Sequence, residues 1–421
     1  MSARRHWIPP LPLVGGLLFQ TLAWCLVLRD AVVPSFGIEL AWVHAVALGW
    51  LTLVALAVLL HVIPGFTDLD WRGEDAARAL VIVVGGGALA LVISFASDTA
   101  AGVIAAAIAL SLALVVYAAL AIRTLSRPAP DARSAVIARG LTVTQLVLAV
   151  TAILGLLLAV GYARESRALL ALGPSHAVLG IVGWLTLLTS GVSARTFRPL
   201  LGARSRWPAA HAIADSGLLL GAVVAALAAP WSFAGFRAGL IVGAGGALAY
   251  VVDAVDILRR ATTPHGAARA FVAASVTWLA LAVALTIALT VATSWSLLLG
   301  HAAIVVALAG WLGQMVNAHV HHLGVRVVST FILGDDDETR PWTLLTPALS
   351  WGALATGQIA VAGTVARSLG APGVVAWCAG IAGLLSVGCI VGNAVTVIRR
   401  AAAYVARKRT GSGGAGITSP S

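Results

Sequence analysis

Three histidines that precede a repeated Gly-Trp-Leu motif have the most potential for chemistry in this chain. They are His44 before Gly49-Trp50-Leu51, His176 before Gly183-Trp184-Leu185, and His301 before Gly310-Trp311-Leu312. Imidazole is the commonest metal ligand in proteins and an axial ligand of haem iron. Because a haem with two axial histidines needs one Nε2 atom from each of two neighbouring helices, the repetition predicts a haem or metal site. The alternative interpretation is that each histidine is an interfacial hydrogen-bonding residue near a helix end.

The spacing between each histidine and its tryptophan separates the three candidates. His44, His176 and His301 lie six, eight and ten residues before the tryptophan. At about 100° per residue, His44 and His301 share a helix face to within about 40° and lie one turn apart, whereas His176 points roughly the opposite way. We therefore predict that His44 and His301 bind one haem b. We predict His176 as a metal or gas-ligand contact on the cavity wall, where a single protein ligand would bind copper only weakly.

A second group of histidines lies towards the other end of the same segments: His61, His319, His321 and His322. The 17 residues between His44 and His61 correspond to about 25 Å of helix, so the histidines form two layers. Metal ligation by this inner layer is one interpretation. A solvated basic helix end is the other, because Arg326 follows these histidines closely.

The acidic and cysteine residues suggest little further chemistry. Asp215 lies at the start of an apolar segment, and Asp253 and Asp256 lie at the end of the next one. No chain of carboxylates crosses the middle of the apolar segments, which argues against a proton pump or a proton-coupled carrier. The three cysteines form no CxxC pair and no phosphate-binding motif occurs. A zinc ribbon, a thiol redox centre and a nucleotide site are therefore not expected.

The elements that must position these residues are apolar helices. The chain has 421 residues, of which 60% are apolar and 10% charged, and its mean hydropathy is +0.98. A soluble chain is about 25% charged, and about 20 apolar residues span a bilayer. The sequence therefore predicts an all-α polytopic membrane protein whose partner is the lipid bilayer. The twelve expected spans are roughly 10–28, 40–64, 78–96, 101–122, 140–160, 174–194, 212–230, 237–258, 270–292, 297–320, 343–366 and 373–398.

The basic residues indicate how these spans are oriented. Of the 27 Lys and Arg residues, 22 fall on one side of the twelve-span arrangement, and the five on the other side are Arg29, Arg164, Arg167, Arg237 and Arg367. Positive residues concentrate in cytoplasmic loops, so we predict a bacterial inner-membrane protein with both termini in the cytoplasm. This distribution accounts for the net charge of +11 without a nucleic-acid partner.

The histidine motifs recur every four spans, which indicates an internal repeat. We predict one membrane domain over residues 1–406, built from three four-helix repeats at about 1–125, 126–262 and 263–400. Residues 407–421 are predicted to be a disordered cytoplasmic tail, because they are rich in Gly and Ser. The glycine beside each tryptophan would allow either a flat macrocycle or another helix to approach closely.

Twelve spans in three four-helix arcs, with histidines on spans 2, 6 and 10, resemble subunit I of the heme-copper oxidases. The closer likeness is to its shorter oxidase-like relatives, including the NnrS-type haem and copper membrane proteins. The strings that run from His44 and His176 through Gly-Trp-Leu-Thr-Leu carry this resemblance. It implies that His44 and His301 bind the low-spin haem and that His176 is a copper ligand.

The chain departs from the oxidase pattern at the copper site. Span 7 carries only His211, at its cytoplasmic start, span 10 lacks a His-x-His near its outer side, and the tyrosine that follows the span-6 ligand is missing. We therefore expect a haem-binding protein that handles electrons or a small gas without reducing oxygen. The resemblance favours nitric oxide as the gas and implies a quinol or cytochrome c as electron donor.

Three questions of function stay open at this point. The chain could be an enzyme as a degenerate oxidase or nitric oxide reductase. The first alternative function is a two-haem transmembrane electron carrier, with a second haem between His61 and one of His319, His321 and His322. The second is a haem-free transporter, against which the lack of broken helices and of buried charge argues.

Overall fold

The computed structural model of this chain describes residues 10–263, 266–291, 297–333 and 341–409. It is all-helical, with 88% helix and no strand within these ranges. Twelve helices there are long and apolar enough to cross a membrane, and each overlaps one predicted span, so the predictions of an all-α chain and twelve spans are confirmed. Spans 1 to 12 are Leu11–Asp30, Phe36–Thr67, Glu74–Ala96, Ala100–Leu125, Ala132–Ala163, Arg167–Leu201, Ala209–Ala228, Phe233–Arg259, Gly266–Val291, Leu297–Thr330, Pro347–Ser368 and Gly373–Arg407.

Spans 2 and 6 each contain a proline in their last helical turn, Pro64 in span 2 and Pro199 in span 6. They end at Asp68 and Gly202, which have left-handed backbones with φ of 54° and 70°. Each N–H donates to the carbonyl four residues earlier, at 3.0 Å for Asp68 and 2.9 Å for Gly202, which caps the helix. We call the membrane face at which spans 2, 4 and 6 end the basic face, because Arg72, Arg127 and Arg204 lie in the loops that follow.

The Gly-Trp-Leu motifs form π-helical segments inside spans 2, 6 and 10. These segments are Ala45–Thr52, Leu179–Thr186 and Val306–Leu312. Span 10 has another π-helical segment, Val320–Gly324, which contains His321 and His322. A π-helical turn closes i→i+5 hydrogen bonds and is frequent at functional sites. It also changes the angle between residues on either side of the motif relative to a regular α-helix.

The three motifs meet at the centre of the molecule and form what we call the tryptophan ring. Trp184 Nε1 donates to Thr52 Oγ1 at 3.2 Å, and Trp311 Nε1 donates to Thr186 Oγ1 at 3.3 Å. Trp50 lies over Gly313, where a Cβ atom would come within 2.7 Å of Trp50 Cη2. Each tryptophan therefore contacts the position two residues after the tryptophan of a neighbouring motif. This arrangement joins spans 2, 6 and 10 in a closed triangle.

The glycine of each motif makes room for the preceding span. A Cβ atom at Gly49 would overlap Phe19 of span 1, one at Gly183 would lie 2.9 Å from Val147 of span 5, and one at Gly310 would lie 2.8 Å from Trp278 of span 9. Of the two uses that the sequence offered for these glycines, the close approach of a helix is the one the structure shows. Small residues at helix interfaces serve this purpose in membrane proteins.

The remaining spans surround this centre, and the first packs against the last. At the interface of spans 1 and 12, Trp24 covers Gly383, and on the face opposite the basic face Arg367 Nε donates to Asp30 Oδ2 at 3.1 Å. Spans 7 and 8 approach backbone to backbone, because a Cβ atom at Gly221 would overlap the backbone of Gly243. The spans therefore close a circle around the tryptophan ring.

Only the start of the predicted C-terminal tail, residues 407–421, lies within the described residues. The last helix, Gly373–Arg409, includes the first residues of the predicted tail. Residues 410–421 lie outside the described residues.

Candidate functional site

His44 lies at the end of a regular helical turn, directly before the first π-helical segment. Its Nδ1 atom donates to the carbonyl of Leu40 at 2.7 Å. Its ring lies 5.1 Å from the ring of Phe95 and 6.5 Å from that of His176, measured between centroids, and the two imidazole planes are inclined by 21°. The structure therefore places His44 of span 2 beside His176 of span 6.

His176 is held in the same manner by a neighbouring span. Its Nδ1 atom donates to the carbonyl of Thr151 in span 5 at 3.0 Å. Gly155, one turn further along span 5, leaves room for the imidazole, since a Cβ atom there would lie 3.1 Å from His176 Cε1. The side chains of His44 and His176 are half-buried, and among the described residues their Nε2 atoms have no hydrogen-bonding partner.

This arrangement, which we call the histidine pair, has the chemistry of two preoriented metal ligands. Metal-binding histidines usually donate their second ring N–H to a carbonyl or carboxylate, which fixes the tautomer and the ring. With both Nδ1 atoms protonated, both Nε2 atoms carry a free lone pair. Two metal–nitrogen bonds of about 2 Å plus the two ring radii give roughly 6 Å between the centroids of opposed ligands. The observed distance between the centroids, 6.5 Å, is of this size, and the two rings are stacked with their planes inclined by 21°.

A copper centre with three protein ligands does not fit the described residues. No group of three or more His, Cys, Asp or Glu side chains in these ranges is arranged to hold a metal ion. Two imidazoles alone suit haem iron, because the macrocycle supplies the other four ligands. A bare copper ion would lack the several well-placed donors that selective binding needs.

His301 lies apart from the histidine pair in its contacts. Its Nε2 atom is 3.7 Å from Glu39 Oε2, and the two side chains are 41% and 46% exposed. Glu39 lies on span 2, more than one turn before His44. Of the outer histidines, the structure thus brings His44 and His176 into ring contact, although the spacing to the tryptophans had paired His44 with His301.

The inner histidines have different environments. Both nitrogens of His319 are occupied, since Nδ1 donates to Met315 O at 2.8 Å and Nε2 accepts from Thr196 Oγ1 at 2.9 Å. His321 donates its Nδ1 proton to Asn317 O at 2.8 Å and stacks on Phe271 at 4.8 Å, and its buried Nε2 atom has no hydrogen-bonding partner among the described residues. His322 is 8% exposed. Of His319 and His321, only His321 offers a lone pair.

A cavity of about 1890 Å³ lies on the basic side of the tryptophan ring. His61, His319 and His321 line it, together with Trp50 and Arg195. His61, His319 and His321 of the inner layer therefore face one common space, although they come from two spans.

A polar group between spans 6, 7 and 8 was not anticipated. Asp253 is completely buried, although it lies near the end of span 8. Its Oδ2 atom lies 3.5 Å from His211 Nε2. The expectation that the spans hold no buried charge is therefore wrong. The signal in the sequence was the placement of Tyr250 three residues before Asp253, on the same helix face, next to a glycine-lined contact with span 7.

Comparisons with known proteins add no assignment. No family model matches the sequence, and no curated protein matches it.

Proposed function

We propose that this chain is a haem-binding integral membrane protein with a heme-copper oxidase-like fold, in which His44 and His176 are the axial ligands of one haem b. The observation that carries the proposal is the histidine pair: two imidazoles 6.5 Å apart, each oriented by a hydrogen bond from Nδ1 to a backbone carbonyl. The choice of ligands follows the contacts rather than the spacing in the sequence, and it leaves His301 outside the first coordination sphere.

Three four-helix repeats form the scaffold of the proposed fold. Its support is the equivalence of the three motifs, each with a π-helical segment, a tryptophan in the central ring and a glycine against the preceding span. In this scaffold spans 2 and 6 would hold the haem, whereas the oxidase resemblance implies that spans 2 and 10 hold it.

The proposed activity is reversible handling of electrons or of a small gas, with no oxygen reduction. Among the described residues, no third donor group accompanies His44 and His176 that could hold a second metal next to the haem. A haem with two axial histidines is suited to electron transfer, and a gas can bind only after one histidine is displaced. Nitric oxide is the favoured gas and a quinol or cytochrome c the favoured electron donor, on the resemblance alone.

Absorption spectroscopy of the purified, haem-supplemented protein tests this proposal. We expect a Soret band and a six-coordinate low-spin spectrum, which His44→Ala and His176→Ala each abolish or convert to a five-coordinate form. The matched control is His301→Ala, which should leave the spectrum unchanged. Colourless protein would refute haem binding, and a spectrum sensitive to His301→Ala but not to His176→Ala would restore the pairing of His44 with His301.

Gas and oxygen assays test the activity itself. The reduced protein should bind carbon monoxide or nitric oxide slowly or incompletely, because one imidazole must leave the iron first. Rapid oxygen consumption with a quinol or cytochrome c donor would refute the proposal, and chelator-resistant stoichiometric copper would point to an oxidase-like centre.

A two-haem electron carrier is the second candidate, and the cavity on the basic side of the ring favours it. His321 Nε2 is buried without a partner among the described residues, and His61 lines the same cavity. In this case haem analysis should give two haems per chain, with one lost in His321→Ala. One haem per chain, unaffected by that substitution, would exclude it. The transporter hypothesis survives only if the protein is colourless.

A further inference from the structure

The polar group between spans 6, 7 and 8, which we call the span 6–8 cluster, consists of Ser190, Ser193, His211, Asp215, Tyr250 and Asp253. At its end near the basic face, Asp253 Oδ1 accepts from Ser205 Oγ at 2.5 Å, and Oδ2 lies 3.5 Å from His211 Nε2. The His211 side chain is 19% exposed, whereas that of Asp253 is 1% exposed. His211 and Ser205 therefore connect a buried carboxylate to the aqueous loops.

The cluster continues from Asp253 towards the centre of the molecule. The Tyr250 ring lies 6.3 Å from the His211 ring, between centroids, and the Tyr250 hydroxyl lies near the Ser193 hydroxyl. Asp215 accepts a hydrogen bond from Ser190 Oγ at 2.7 Å. The Tyr250 ring packs against Trp311 at 5.3 Å between centroids. The polar chain thus runs from the basic face as far as the tryptophan ring.

Several polar atoms of the cluster are buried without a hydrogen-bonding partner among the described residues. Ser193 Oγ, Tyr250 OH, Asp253 Oδ2 and His211 Nδ1 have no hydrogen bond among the described residues. Ser193 and Asp253 are fully buried, and Tyr250 is 2% exposed. Because buried polar atoms without protein partners usually bind ordered water, these atoms indicate a hydrated space inside the cluster.

The charged groups on the elements that pack against span 8 decide how a charge on Asp253 could be compensated. Charged groups on the elements packed against span 8 are His211, Asp215, Arg195, Arg198 and Arg269. Arg269 donates to the carbonyls of Leu258 and Ala261. Arg260, directly after span 8, pairs with Asp256, near Arg206 and Arg259. Among the described residues, the ion-pair contact of Asp253 is with His211. A buried carboxylate must be paired or protonated.

We propose that the span 6–8 cluster is a hydrated proton-binding site, in which Asp253 and His211 hold a proton that exchanges with water at the basic face. When the proton leaves, it passes from the pair to water, and Asp253 is left as the carboxylate. The hydroxyls of Ser193 and Tyr250, with bound water, extend the hydrogen-bonded chain to Asp215. The site stands on these side chains alone and is independent of haem binding.

A proton fits this site better than a metal cation. Hard cations require several converging oxygen ligands, whereas the Nε2 atom of His211 faces Asp253 Oδ2. Ser205 already occupies the other carboxylate oxygen of Asp253. A cation would therefore have to compete with one donor and displace another.

The test is pH-difference infrared spectroscopy of the full-length protein in lipid nanodiscs, which detects protonation of a buried carboxyl group. We expect one titrating carboxylic acid band that shifts in D₂O and disappears in Asp253→Asn. The matched control is Asp256→Asn, one turn further along span 8, which should retain the band. His211→Gln should change the frequency or intensity of this band, because the carboxyl group of Asp253 loses the imidazole that lies 3.5 Å from it.

Each result decides the proposal. A band unchanged in Asp253→Asn would overturn it. Should that variant fail to fold, His211→Gln provides the decision, since a carboxylic acid band unchanged in that variant would overturn the proposal. The measurement is repeated with sodium replacing a bulky organic cation in the buffer, at constant pH and ionic strength. A change in the band on this replacement would identify a cation site and overturn the proposal. The expected infrared result is the same for protein without haem, so this test is independent of the haem proposal.

Discussion

Substitution of Gly155 by alanine tests whether the His176 imidazole is held in a ligand geometry. The added Cβ atom would lie 3.1 Å from His176 Cε1 and 3.6 Å from Nδ1. Contacts at this distance are closer than carbon atoms normally approach, so the ring must move by a few tenths of an ångström. That movement acts on the hydrogen bond from Nδ1 to Thr151 O, which is 3.0 Å long.

The expected effect is a loss of haem affinity with little change in stability. Disturbing the outer-shell partner of a metal ligand typically costs 10–100-fold in metal affinity. Since the hydrogen bond is strained and not removed, we expect a loss of about tenfold, which corresponds to about 1.4 kcal/mol. Titration of the apoprotein with haem in nanodiscs, followed at the Soret band, measures this difference.

Gly140→Ala is the matched control on the same helix. A Cβ atom at Gly140 meets nothing within 4 Å, so this substitution changes only helix propensity, by up to about 1 kcal/mol in favour of the helix. Affinity in Gly155→Ala equal to the wild type would refute the reasoning about the imidazole. An equal loss in both variants would assign the effect to span 5 as a whole.

Three further predictions concern the scaffold. Gly49→Ala should lower stability by about 1–3 kcal/mol, because its Cβ atom overlaps Phe19, measured by thermal unfolding in detergent. Thr52→Val should cost about 1–3 kcal/mol in the same assay, because the buried Nε1 atom of Trp184 loses its acceptor. Asp131→Ala should lower stability at neutral pH, because Asp131 Oδ1 caps span 5 through Ser134 N at 2.7 Å. This hydrogen bond lowers the pKa of Asp131, so its contribution is present above the ordinary Asp pKa and is lost as the pH falls through the lowered value.

Conservative variants serve as controls for these three predictions. A Cβ atom at Gly86 meets nothing within 4 Å, so Gly86→Ala should be neutral or stabilising, and an equal loss there would contradict the packing argument. Thr52→Ser keeps the hydroxyl and should retain most of the stability. Asp131→Asn still caps the helix but does not titrate, so a pH dependence identical to that of the wild type would contradict the assignment to Asp131.

The spans could be predicted from the sequence, whereas the pairing of the histidines could not. Hydropathy over about 20 residues locates a membrane helix regardless of what it packs against. The angular argument that paired His44 with His301 assumed a regular α-helix between each histidine and its tryptophan. The structure has π-helical segments in all three intervals. The argument compares positions within each helix, whereas the rotation and depth of the helices relative to one another decide that His44 lies beside His176.

The buried carboxylate was missed for a related reason. The position of Asp253 near the end of an apolar segment does not indicate whether its side chain is buried. Burial near the end of span 8 comes instead from its neighbours, because the loop with Ser205 and the start of span 7 with His211 cover it. Such coverage depends on tertiary packing, which the pattern of one segment does not contain.

The contact between spans 1 and 12 has a consequence for biosynthesis. Span 1, which carries Trp24, is synthesised before span 12, which carries the contacting residue Gly383. Until then the interhelical face of span 1 has only lipid or insertion machinery to cover it, and Asp30 lacks the Arg367 partner. The interface between spans 1 and 12 can therefore form only after both helices have been inserted. Chains arrested before span 12 should accumulate as open, protease-sensitive intermediates, because the circle of helices closes only after span 12 has been inserted.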